Sequence, residues 1–240
     1  MDILYVIGTG SKWNDNELKF SLRSIEKYCT GVDRIFIIGH KPEFVNSHVF
    51  HVPCSDPYNT KHKNILHKVT FAIRHCEIAP HFLISSDDHF YIKPTDFNAY
   101  PIYHKEQIPE SVTKINHYWQ SLIDTRKLLL DNNLSIWQTN PHCNTHFDVR
   151  LYQQNKALFD EGMTFQYGAE LNCIMGNLLI AKGYPHEEYH DIKFGADTTC
   201  WNWKERVGDA HCISSTPDIN ETYTGDFLKK EFPYKSKYER

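Results

Sequence analysis

Short apolar runs alternate with stretches of helical periodicity over the first hundred positions. "ILYVIGTG" is an apolar run closed by glycines, and its β-branched content predicts a buried strand. "NDNELKFSLRSIEKYC" follows, with Leu18, Leu22, Ile25 and Cys29 at helical spacing and Asn14 and Glu17 placed as a capping-box variant. "DRIFIIGH" and "HVFHVPC" predict two more strands. "TKHKNILHKVTFAIRHC" predicts a helix whose buried face is Ile65, Leu66, Val69, Ala72, Ile73 and Cys76. "HFLISS" predicts a fourth strand, ending at Asp87. Continuous apolar strands alternating with amphipathic helices indicate an α/β fold, with a mixed, mostly parallel sheet flanked by helices. Ligands of such sheets collect beyond the carboxyl ends of the strands. Three of these ends carry unusual residues: Gly8-Thr9-Gly10, Gly39-His40 and Asp87-Asp88-His89.

The pattern weakens after residue 100. "SVTKINHYWQSLIDTRKLLLDNN" reads as a helix, and "WQTNPHCNTHFDVRLYQQ" as a polar loop leading into a helix that ends near Glu161. "GAELNCIMGNLLIAKG" is a helix with a glycine stop. The last fifty residues read as irregular. With no internal repeat or linker, the chain reads as a single domain over 1–240, an N-terminal half (1–100) of nucleotide-binding type and a C-terminal half (101–240) that completes a site.

Composition narrows the function. A net charge of −4 gives no sign of nonspecific attraction to DNA or membranes. Seven cysteines without a C-x-x-C pair argue against a disulfide framework or a zinc ribbon and suit reduced thiols in the cytoplasm. The start "MDILYVIGTG" lacks a signal-peptide pattern, and no apolar stretch approaches the ~20 residues that span a bilayer, so no integral membrane association is expected.

Candidate chemistry centres on Asp87-Asp88-His89. Asp is common in turns after strands. Adjacent carboxylates also repel each other unless a cation offsets them, and Mg2+ or Mn2+ prefers carboxylate oxygens, Mn2+ accepting imidazole as well. Such an ion bridges to a diphosphate leaving group. The residues alone leave both the turn and the metal–phosphate site open. Lys61, Asn64 and Lys68 share one polar face of the preceding helix, suited to phosphate or sugar oxygens or simply to solvent.

Taken together, "NELKFSLRSIEKYC", "DRIFIIGHKPEF", "HKNILHKVTFAI", "FLISSDDHFYIKPTDF" and the terminal "FPYKSKYE" resemble the nucleotide-sugar-dependent glycosyltransferases of the GT-A type. The similarity is greatest to the capsular-polysaccharide and Stealth-type sugar-transfer proteins of bacteria and their phages, and covers roughly residues 1–98 and the last ten. It implies a D-x-D-type motif in which Asp87 approaches the nucleotide ribose and Asp88 or His89 contacts the metal, with His89 where a second carboxylate is usual. It also implies a distant metal-binding histidine, for which His211 is the candidate. Gly8, Thr9 and Gly10 would cradle the nucleotide or form a plain tight turn, and Arg23 would reach the diphosphate or form a surface ion pair. Glu170, at a helix start, takes the position of a base that deprotonates the acceptor, or simply favours the helix dipole. Asp148, Asp191 and Asp197 compete with it, and His142, His146, Asp148 and Arg150 form an acceptor or phosphate surface. The implied reaction is metal-dependent transfer of a sugar, from a UDP-sugar with Mn2+ or Mg2+, to a capsule or surface glycan or a hydroxymethylated DNA base. Stealth-type hexose-1-phosphate transfer and a non-catalytic nucleotide or carbohydrate-binding module are the alternatives.

Overall fold

The computed structural model describes residues 1–197 and 199–240, with the side chains of Cys200, Trp201 and Asn202 left undescribed; Cys200 of the cysteine set therefore lies outside the described side chains. The chain order is β1 (Asp2–Ile7), α1 (Asn16–Tyr28), β2 (Cys29–Thr30), β3 (Ile35–Gly39), β4 (Val49–Val52), α2 (Lys61–His75), β5 (His81–Ser85), β6 (His89–Tyr91), β7 (Thr95–Asp96), β8 (Ile102–His104) and α3 (His117–Asp131). It continues with β9 (Thr145–Asp148), α4 (Val149–Gln154), α5 (Lys156–Thr164), α6 (Leu171–Ala181), β10 (His186–Glu188), β11 (Lys193–Phe194), α7 (Cys200–Val207), β12 (Cys212–Ser215) and α8 (Tyr223–Glu231).

The central sheet has the order β4-β3-β1-β5-β9. Its first four strands are parallel, and β9 runs antiparallel to β5. Alternate residues of one strand point to opposite faces. Leu4, Phe36, Phe82 and Phe147 pack with Leu66, Val69 and Ala72 of α2 and with α6. Ile3, Tyr5, Ile35 and Leu83 pack on the other side with Leu18, Leu22 and Ile25 of α1. Burial on both faces explains the unbroken apolar runs of these strands.

The sheet also shows where the sequence reading fails. "CNTHFDVR", taken as loop, holds edge strand β9. The last fifty residues, taken as irregular, hold β11, α7, β12 and α8, and β11 and β12 join β6 in a second, three-stranded sheet. The capping box at α1 does not form. Asp15 sits at the helix start in the left-handed region (φ 57°) with no side-chain cap, and Glu17 instead accepts a hydrogen bond from Ser11 Oγ at 2.8 Å.

Gly39, one of the unusual strand ends, is there for packing. Its φ is +110°, and a Cβ would lie 2.1 Å from the Ile7 carbonyl oxygen. Only glycine lets β3 end this close to β1.

Candidate active site

β1 and β5 are parallel neighbours, so the loops after Ile7 and Ser85 emerge at the same edge. They bound a cavity of about 330 Å3 whose walls include Gly8, Gly10, Ser11 and Glu17 on one side and Asp87 and Asp88 on the other. Lys61 of α2, Lys193 of β11 and the 215–217 turn after β12 complete it. Thr9 is exposed and is not part of the wall.

The adjacent acids behave oppositely. Burial, and then the charges of Asp88 and Glu17, push Asp87 up to about 7. Burial also pushes Asp88 up, but His89, Lys193, Lys61 and His142 outweigh it and hold that carboxyl below the usual carboxylate range. Asp88 Oδ2 accepts hydrogen bonds from Lys193 Nζ at 3.2 Å and Ser214 Oγ at 3.1 Å. Asp87 thus keeps its proton longer in the folded protein than in the unfolded chain. Its contribution to stability is complete at acid pH, below the ordinary carboxylate value, and is lost as the pH rises towards about 7. Asp87→Asn, which does not ionise, is expected to melt above the parent at alkaline pH by a margin that shrinks as the pH is lowered through this range. Thermal melts across pH check this; a margin independent of pH contradicts it.

A second cavity of about 420 Å3 shares a wall with the first: Lys61, Ile65, Ser86, Asp88, Asn172 and Lys193 line both. Its far side carries His62, Tyr118, Asn140, His142, Tyr167 and Glu170. Glu170 is 6% exposed at the start of α6, with Oε2 3.3 Å from His62 Nδ1 and 3.1 Å from Asn140 Nδ2. Burial pushes Glu170 up, but His62 and Asn140 hold it below the usual range. Burial pushes His62 down, and the Glu170 charge more than reverses this. Gly168 makes the pairing possible: at φ +79° its missing Cβ would lie 2.8 Å from Lys63 Cγ, so this turn presses against the start of α2. In the same cavity His142 Nδ1 is 2.8 Å from Asp191 Oδ2, and the His142 amide donates to Asp191 Oδ1 at 2.6 Å. Asn140 Oδ1, Asn172 Oδ1, Thr60 Oγ1 and Ser215 Oγ line the two cavities and are buried without a hydrogen-bond partner. Such atoms are rare in folded proteins, and here all four belong to residues that line the cavities.

Several expected site residues lie elsewhere. Arg23 forms a paired ion bridge to Glu239, with Nε–Oε1 and Nη2–Oε2 both 2.7 Å, and its Nη1 donates to the Phe232 carbonyl at 2.7 Å. It anchors the C-terminal segment and does not reach the cavity. Asn64 hydrogen-bonds both backbone groups of Tyr58, at 2.9 and 2.7 Å. Lys68, 3% exposed, donates to the Ile7 carbonyl at 2.9 Å and pairs with Asp56 at 2.7 Å. Asp148 caps α4 by accepting from the Leu151 amide at 2.7 Å. It pairs in register with His81, the first residue of β5, about 13 Å from the strand end that carries the acids. His146 hydrogen-bonds His81 and the Tyr100 carbonyl, each at 2.9 Å, away from both cavities. Arg150 and Asp197 are exposed and line neither cavity.

The expected metal set is not assembled. His89 is buried in β6, where burial takes it down to about 4, and its Nε2 is 3.9 Å from Asp88 Oδ1. His211 lies just ahead of β12, its carbonyl accepting from the Ile92 amide, with its ring among Tyr91, Tyr103 and Tyr189. Among the described residues no group of three or more His, Cys, Asp or Glu side chains is placed to hold a metal ion. The donor set therefore does not fit the divalent cation implied by the sequence resemblance.

No protein-family model and no curated protein sequence matches the chain. Solved structures do. Galactosyltransferase LgtC in complex with donor and acceptor sugar analogues superposes with a TM-score of 0.50 at 9% identity, over 98% of this chain and 96% of that one. An active-site mutant of LgtC gives a TM-score of 0.48 at 9% identity, over 96% and 94% of the two chains. The fold is of the GT-A type. In this GT-A fold the sheet edge bears the two adjoining cavities, and the second sheet delivers Lys193 to the wall between them. No helix among the described residues is long and apolar enough to cross a membrane.

Lys193, and the pairing of His142 with Asp191, are not visible in the sequence. Lys193 carried no local signal, because a two-residue strand leaves no periodicity. The His142–Asp191 pair spans 49 residues and is made only by the fold.

Proposed function

We propose that the protein transfers a sugar from a nucleotide sugar to a hydroxyl acceptor. The observation that carries this reading is the shared wall: one charged partition, Asp88 with Lys193 and Lys61, separates a cavity at the ends of β1 and β5 from a second one holding Glu170. Two substrates that react with each other need two such adjoining chambers. The first takes the donor, assigned as a UDP-sugar, with its nucleotide towards Gly8, Gly10 and Asp87 and its diphosphate at the partition. The second takes the acceptor. Tyr167 stacks with His117 at 4.2 Å and, with Tyr118, gives this chamber aromatic walls suited to a sugar face. A glycan of the capsule or surface class fits these walls; a hydroxymethylated DNA base would present the same nucleophile, and an acceptor screen separates the two.

The acceptor hydroxyl oxygen forms a bond to the anomeric carbon as the bond from that carbon to the phosphate oxygen breaks. The hydroxyl proton goes to Glu170, whose carboxylate is kept ionised by His62 and Asn140, and a nucleoside diphosphate leaves. His142 is a second candidate for the proton. Asp191 holds its Nδ1, which leaves Nε2 for the cavity. Mn2+ or Mg2+, the cofactor that the resemblance implies, lacks a fitting donor set here, and no step depends on it. Incubation with a nucleotide sugar and acceptor is expected to release the nucleoside diphosphate. Release of the monophosphate would mean sugar-phosphate transfer, and binding without release would mean a binding module.

A further inference from the structure

We propose that Lys193 and Lys61 supply the positive charge that holds the donor's diphosphate, so that nucleotide binding needs no divalent cation. This deepens the transferase reading and rests on it. Both lysines line both cavities, at the partition where the diphosphate must sit if the nucleotide fills one chamber and the acceptor the other. Two ammonium groups carry the charge of one divalent ion. Lys193 is fixed from below: Asp88 Oδ2 accepts from its Nζ at 3.2 Å and from Ser214 Oγ at 3.1 Å, so the carboxylate that would ligate a metal instead positions an ammonium. Lys61 reaches the same partition as the first residue of the fifteen-residue helix α2, where the helix dipole adds positive potential. The N-cap Thr60 makes no side-chain cap, and its buried Oγ1 has no partner. This end of the helix is left open towards the cavities, as at anion sites built on helix starts. The fit is to a diphosphate rather than to a single carboxylate, because two ammonium groups from separate elements, α2 and β11, line the same partition.

The test is equilibrium binding of UDP, with GDP, ADP and CDP in parallel, by calorimetry on the full chain. Each titration is run in EDTA and again with Mn2+ or Mg2+. The expected result is that the preferred nucleoside diphosphate binds in EDTA with a Kd within about threefold of that measured with metal. Lys193→Ala and Lys61→Ala are each expected to weaken it by about tenfold to a hundredfold, the range for losing one charged hydrogen bond. Lys193→Arg is expected to keep most of the affinity. Lys61 is exposed, so Lys61→Ala keeps the test decisive if Lys193→Ala does not fold. Binding that disappears in EDTA and returns with Mn2+ overturns the proposal but leaves the transferase reading in place. Lysine variants that bind as tightly as the parent in EDTA likewise overturn only the proposal. No binding of any nucleoside diphosphate under either condition overturns the donor reading, and this one with it.

Discussion

Glu170→Gln is expected to lower kcat by about 10²- to 10⁴-fold, the usual contribution of a positioned general base. The amide keeps the size of the side chain and its contact with Asn140, so donor binding in the other cavity should be nearly unchanged. The pH profile identifies the base. Glu170 is held below the usual carboxylate range, chiefly because the His62 charge and the Asn140 bond outweigh burial, so it stays ionised well into the acid region. A reaction using it keeps its rate as the pH falls from neutral and loses it only when the carboxylate is finally protonated. If His142 takes the proton instead, His142→Gln shows the larger loss and Glu170→Gln the smaller one. Steady-state kinetics of both variants across pH decides between them.

Glu239→Ala is the change expected to cost the most stability. Its side chain is 2% exposed and that of its partner Arg23 is 13% exposed, and Glu239 also accepts from the Ser236 amide at 2.8 Å and the Ser236 hydroxyl at 3.1 Å. Removing one partner of a buried pair leaves the other charge uncompensated, at about 3–5 kcal/mol. For a chain of this length that lowers the melting temperature by roughly 10 °C. The pair fastens the C-terminal segment, which bridges back to Val45, against α1. Burial raises the Glu239 carboxyl, but Arg23 and Ser236 together bring it below the usual range. Its stabilisation is therefore present above the ordinary carboxylate value and lost as the pH falls through the lower, folded one. Thermal melts at neutral and acid pH check both points. Arg23 lines neither substrate cavity, so Arg23→Met is expected to lower stability and leave the KM for the donor within about twofold; a large rise in KM would restore Arg23 to the donor site.

The contrast between Lys61 and Lys68 shows what was legible in the sequence. The spacing puts both on one face of α2, but Lys61 is exposed and Lys68 is buried. Seven residues of helix are about 10 Å long, so one lysine stands at the cavities and the other is buried against Ile7 and Asp56. Periodicity gives a face and not a depth. The strands β1, β3 and β5 were legible because burial on both faces makes them continuously apolar, and their parallel order put Asp87 and Asp88 at the ligand edge. The acceptor-side half was not. Strands β9 and β11 have four and two residues, too few for a pattern, and their pairing is long-range. That is why the sequence puts Asp148 beside the site although its register places it at the far end of β5, and makes His211 a candidate ligand although, just ahead of β12, it sits in a nest of tyrosines.

In the function proposed above, the two cavities hold a sugar donor and a hydroxyl acceptor that react across the Asp88–Lys193 partition. The most direct measurement is phosphorus NMR of the full chain turning over a panel of nucleotide sugars with glycan acceptors, with Glu170→Gln as the control. The expected result is that a nucleoside diphosphate appears together with glycosylated acceptor, and that the control forms it at least about a hundredfold more slowly. A nucleoside monophosphate as the product, or no turnover of any donor that the protein binds, would contradict it.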